Sequence, residues 1–79
     1  METRAYILIE TAVGKMSDVV IELRGLPAIQ TVDPVTGPYD IIAVVGAPDL
    51  NAVGDLVTNR IHKIRGISRT LTCLSMGAH

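Results

Sequence analysis

The sequence predicts an α+β sandwich of order βαββαβ, with a four-stranded, antiparallel-dominated sheet and two helices on one face. Three observations lead there. Four short runs rich in Ile, Val, Thr and Tyr are interleaved with two longer stretches whose apolar residues recur at helical spacing. Gly and Pro punctuate the junctions at Gly25, Pro27, Gly37, Pro38, Pro48 and Gly66. The chain has 79 residues, against roughly 100 to 200 for a typical domain, so residues 1–79 are read as a single unit.

The elements follow in order. Arg4 to Ala12 carries apolar residues on both alternating sets, Ala5, Ile7 and Ile9 against Tyr6 and Leu8, as a strand covered on both faces does. From Gly14 the period changes. Met16, Val19, Val20 and Leu23 form one stripe and Lys15, Asp18 and Glu22 the opposite side, and the helix ends where Gly25 can take a left-handed conformation and Pro27 forbids continuation. Ala28 to Val35 contains Pro34, which cannot donate to a ladder, and so belongs at a sheet edge. After the turn at Thr36, Gly37 and Pro38, Tyr39 to Gly46 sets Ile41, Ala43 and Val45 against Ile42 and Val44, the pattern of a central strand. Pro48 and Asp49 start a second helix whose stripe is Leu50, Val53, Val57, Ile61 and Ile64, with Gly54 beside it where the backbone could approach the sheet closely. Gly66 closes that helix, and Ile67 to Met76 reads as a partly exposed strand.

Two strand–helix–strand units of right-handed crossover bring the first and third strands together at the centre, expected parallel, with the second and fourth at the edges. This is the ferredoxin-like arrangement. Since both helices lie on one face, a monomer would keep the other face polar. Here Tyr6, Leu8, Ile42 and Val44 form a second aliphatic set, which predicts dimerisation through the sheets, with the remaining edge strands free to join dimers into a ring.

Composition excludes several classes of function. Net charge is −1, without the basic excess that phosphate-backbone binding needs, and aromatics are 3% with no Phe or Trp to stack bases, so nucleic acid is not an expected direct partner. The N-terminal apolar run is broken at Glu10, too short for a signal or a membrane span, and the lone Cys73 cannot form an intrachain disulfide. A cytoplasmic location and no membrane association are expected. Walker-type, GxGxxG and zinc-ligand spacings are absent, and no metal or cofactor is expected.

No catalytic constellation emerges either. Cys73, inside a strand pattern, reads as a small buried hydrophobe, and His62 lies near a helix C-terminus where a cation is favourable. His79 is terminal. Glu10, Glu22, Asp33 and Asp40 are scattered over different elements. Arg60, Lys63, Arg65 and Arg69 make the second half positive, with four basic and two acidic residues after Asp40, which reads either as favourable placement at a helix C-terminus or as an anion site.

The segment Val35-Thr36-Gly37-Pro38-Tyr39-Asp40 is the most informative. Gly37 leaves backbone amides uncovered, Tyr39 and Asp40 bring a hydroxyl and a carboxylate, and Thr70 and Thr72 add same-face hydroxyls from the last strand. Such a set suits a zwitterion, with the carboxylate on its ammonium and the hydroxyls and amides on its carboxyl group. A hairpin turn with ordinary strand threonines would show the same residues.

This segment, with Gly14-Lys15, Leu23-Arg24-Gly25-Leu26-Pro27, the helix from Asp49 to Ile64 and Gly66-Ile67-Ser68-Arg69-Thr70-Leu71-Thr72, resembles the effector-binding (RAM) domain of Lrp/AsnC transcriptional regulators from about Tyr6 to Met76. The resemblance implies a sheet-to-sheet dimer assembling into octamer-like rings, with free amino acids bound between dimers near Gly37, Tyr39, Asp40, Thr70 and Thr72. The family's helix-turn-helix has no counterpart here, which points to a stand-alone module, and Ala12-Val13 replace its common Pro before Gly14.

The expected function is therefore a non-enzymatic amino-acid sensor acting through ligand-linked self-assembly or through full-length regulators of the family. A small ferredoxin-like dimeric enzyme and an ACT-like regulatory module, which binds amino acids at side-by-side sheets, are the alternatives.

Overall fold

The computed structural model describes residues 2–76, so the terminal His79 lies outside the described residues. In chain order the elements are β1 (Thr3–Thr11), α1 (Met16–Arg24), β2 (Ile29–Pro34), β3 (Ile41–Ala47), α2 (Leu50–Leu56) with a π-helical turn over Val57–Ile61, and β4 (Ile67–Leu74). The sheet order is β2-β3-β1-β4, which puts the two apolar strands at the centre and the Pro34 strand at an edge.

Every neighbouring pair is antiparallel, including β1 with β3, contrary to the expectation that these two run parallel. The reason is geometric. A strand–helix–strand crossover leaves β1 and β2 parallel, but the hairpin then reverses the chain, and β3 inserts between them antiparallel to both.

Register divides the side chains cleanly. The rows Thr72–Ile7–Ala43–Val32 and Thr70–Ile9–Ile41–Pro34 face the helices, and the rows Cys73–Tyr6–Val44–Thr31 and Leu71–Leu8–Ile42–Asp33 face away. Ala5, Ile7, Ile9, Ile41, Ala43 and Val45 are fully buried beneath Val19, Leu23, Val53 and Ile61, an all-aliphatic core, and among the described residues no polar or charged side chain is buried. Helix α1 packs on β2, and α2 on β3 and β1. The outer strand β4 is left thinly covered, so Thr72 and Leu74 are exposed although they point to the helix side. On the opposite face Tyr6, Leu71 and Cys73 are exposed, and Leu8, Ile42 and Val44 half-buried. Cys73 is thus not the buried hydrophobe expected of it, because an edge strand has no second layer on that side.

Several local expectations also change. Gly25 caps α1 in a right-handed conformation (φ −80°), its amide turned back on the carbonyls of Glu22 and Leu23. Met16 and Leu50, the first residues of their helices and the outer ends of their stripes, are 40% and 59% exposed. Gly54 does not meet the sheet: a β-carbon there would point into open space. The second helix does not reach Gly66. It widens after Leu56 into a π turn, with the His62 amide bonded to the Val57 carbonyl at 2.9 Å, and ends at Ile61. Gly66 instead adopts φ +98°, the left-handed region that favours glycine, and its carbonyl accepts from the Ala12 amide at 2.7 Å as β4 begins.

Candidate functional site

The β2–β3 connection is pinned to β1. The Asp40 amide donates to the Ile9 carbonyl at 2.9 Å, and the Val35 amide closes the turn on the Asp40 carbonyl at the same distance. Gly37 takes φ +139°, again positive, with nothing near the position a β-carbon would occupy, so the tip is set by backbone conformation and not by crowding. The Asp40 carboxylate turns inward: Oδ2 accepts from the Thr11 amide at 2.8 Å and from the Thr11 hydroxyl at 3.3 Å. An acceptor aimed at the last residue of β1 thus ties the turn to the far end of that strand, leaving Oδ1 as the oxygen open to a ligand.

Across β1, the residue opposite Ile9 on β4 is Thr70, so the turn and Thr70 flank the same point of the central strand from either side. Just before it the β1–β4 register slips. Glu10 pairs Arg69 while Thr11 pairs Ile67, and the extra residue, Ser68, donates its hydroxyl to the Glu10 carbonyl at 3.0 Å. A bulge of this kind re-aims the side chains beside it. Arg69 is directed to the turn, its guanidinium 5.6 Å from the centre of the Tyr39 ring and 3.7 Å from the Glu10 carboxylate.

Four of the five expected site residues therefore sit at one end of the sheet, in two groups, while Thr72 lies further in, opposite Ile7 at the middle of β1. Gly37, Tyr39 and Asp40 sit in the turn, with Tyr39 against Arg69. Thr70 and Thr72 share the helix-side face, as expected from their alternation, and Thr70 bonds the His62 ring at 2.8 Å between Nε2 and Oγ1. A cavity of about 350 Å³ beside Thr70 is lined by His62, Ile67, Ser68, Arg69 and Thr70, and by none of the turn residues. Sequence reasoning missed Arg69 and His62 as members of this end. The Arg69 signal was available in its position next to Thr70. That of His62 was hidden by the helix that ends five residues before Gly66. Among the described residues no cluster of His, Cys, Asp and Glu could hold a metal, and no helix is long and apolar enough to cross a membrane.

Comparison with known proteins fits this geometry. An HTH-type transcriptional regulator of Pyrococcus abyssi is 34% identical over 73 residues, which are 92% of this chain and 46% of that protein. The chain thus spans about half the length of the curated relatives it matches. A Thermus thermophilus protein of known structure is 32% identical, superposes with a TM-score of 0.91 and is covered over 96% of its length by 98% of this chain. A Neisseria meningitidis transcriptional regulator, solved as its complex with L-Met, shares the fold with a TM-score of 0.88 at 18% identity, 96% of this chain covering 51% of it. The sequence itself matches the Lrp/AsnC ligand binding domain over residues 4–79, and the chain belongs to that family.

Proposed function

We propose that this domain is a non-enzymatic amino-acid sensor whose pocket is completed by a second dimer of the same chain. The turn supplies Gly37, Tyr39 and Asp40, the last strand supplies Thr70 and Thr72, and Arg69 lies between the two groups. One observation carries the reading. Polar groups suited to both ends of a zwitterion meet at one end of the sheet, yet they lie on two sides of it, so a facing copy would be needed to enclose the ligand. Asp40 Oδ1 takes the ammonium, while Arg69 and the threonine hydroxyls take the carboxylate. The L-Met complex of the Neisseria relative supports the ligand class.

Pairing through the aliphatic sheet face makes the dimer, and dimers join around the pocket into a ring. Ligand and assembly are then linked: an effector that binds only the completed pocket favours the ring by mass action. The free amino acid is the effector, and full-length regulators of the family, which carry the DNA-binding part, are the downstream partners, with the sensor working in the cytoplasm.

A thermal-shift screen of the twenty amino acids, followed by light scattering with each hit, tests the reading. At least one amino acid is expected to raise both the unfolding midpoint and the scattering mass. Tyr39→Ala and Thr72→Ala should lower that response while leaving the ligand-free midpoint unchanged. A screen in which no amino acid changes either quantity refutes it.

A further inference from the structure

On the outer side of the helix layer, a groove of about 690 Å³ runs between α1 and the π turn. Its walls differ in sign. Asn59, Arg60, Lys63 and Arg65 form one side and Asp18 and Glu22 the other, with Lys15 at one end and Ile21, Leu26 and Ile64 as the apolar part of the lining. None of these cations is ion-paired within 4.0 Å among the described residues, where the one salt bridge is Arg69 to Glu10. Four guanidinium and ammonium groups face a single concavity, and none of them closes an ion pair with the Asp18 or Glu22 carboxylate across it.

Two backbone features build this wall. The π turn carries Asn59 and Arg60 within it, and such turns recur at functional sites. Gly66 in its positive-φ conformation lets the Lys15 stem lie against the backbone. A β-carbon at Gly66 would come within 2.8 Å of the Lys15 Cβ. Lys15 thus packs by Gly66 and joins Arg65 in the lining of the groove.

We propose that this groove binds a nucleoside polyphosphate. The basic wall takes the phosphates. An anion filling the whole groove would meet Asp18 and Glu22, so the remainder of the ligand must present donors, which sugar hydroxyls and an exocyclic amine supply to carboxylates. A planar base covers Ile21, which is 70% exposed. The volume lies within the range of about 300–1,000 Å³ of small-molecule sites and far exceeds what a bare phosphate fills. None of the amino-acid site residues lines this groove, so the two sites stand or fall separately.

The test titrates the full chain with ATP, inorganic pyrophosphate and adenosine, following the backbone amides of Arg60–Gly66 by NMR. ATP is expected to shift them and to bind at least about tenfold more tightly than either fragment, with an affinity that falls as salt rises. The double variant Arg60→Ala/Lys63→Ala should lose at least about tenfold in ATP affinity at an unchanged unfolding midpoint. Asp18→Asn/Glu22→Gln should narrow the preference for ATP over pyrophosphate. Silence of these amides on adding ATP, or pyrophosphate binding as tightly as ATP, overturns the proposal.

Discussion

Thr11 presents two donors to Asp40, and this pairing decides what substitution at Asp40 does. Asp40→Ala removes the acceptor of a half-buried backbone amide and of a hydroxyl. It should cost about 1–3 kcal/mol, read as a lower urea midpoint at unchanged denaturant slope, and should weaken any amino-acid ligand as well. Thr11→Val keeps the amide bond and loses the weaker one, and should cost about 1 kcal/mol or less with little effect on binding. The two variants separate the carboxylate's part in the fold from its part in recognition. Which residues cluster at the turn is legible from the segment Gly37 to Asp40. That Asp40 reaches Thr11, 29 residues away, is not, because side-chain pairing between elements depends on how the chain end of β1 meets the turn. Cys73 shows the same boundary: alternation assigns it a face, but only the layer arrangement shows that nothing covers that face.

At the scale of elements, periodicity located all four strands and both helices, since the buried stripe Val19, Val20, Leu23 and the alternation in β1 and β3 follow directly from what the core must bury. The end of the second helix escaped, because a π turn keeps Val53, Val57 and Ile61 on one buried face and so leaves the apolar spacing looking like ordinary helix. Strand direction was misjudged for a different reason: side-chain pattern is blind to whether a neighbour runs up or down. The start of the second helix, by contrast, was readable, and Asp49 accepts from the Ala52 amide at 2.8 Å. Asp49→Ala should cost about 1 kcal/mol in chemical denaturation. The two glycines flanking the π turn should respond oppositely. Gly54→Ala, in open space within α2, should stabilise by about 0.5–1 kcal/mol. Gly66→Ala, with its positive φ and the Lys15 stem in the way, should destabilise by about 1–3 kcal/mol. A calorimetric midpoint for each variant checks both signs.

For the whole molecule, one layer of helices over a four-stranded sheet leaves an aliphatic surface with no cover from its own chain. Its rows cross all four strands, with Tyr6, Leu8, Ile42, Val44 and Leu71 as the apolar members. Leu71, on the edge strand and 48% exposed, can be changed without opening the core. Leu71→Lys should weaken self-association at least about tenfold in sedimentation equilibrium, with an unchanged circular dichroism spectrum. A wild-type chain that sediments as a monomer at micromolar concentration would remove the dimer, and with it the shared pocket. The chain has no Trp, and its two tyrosines lie in different surroundings. Tyr6 looks out from the bare sheet, and Tyr39 lies under the Arg69 guanidinium. Ultraviolet emission from a Tyr6→Phe chain would therefore come from the turn alone, and from a Tyr39→Phe chain from the sheet alone, so the proposed self-pairing and effector uptake would have separate optical channels without an added dye.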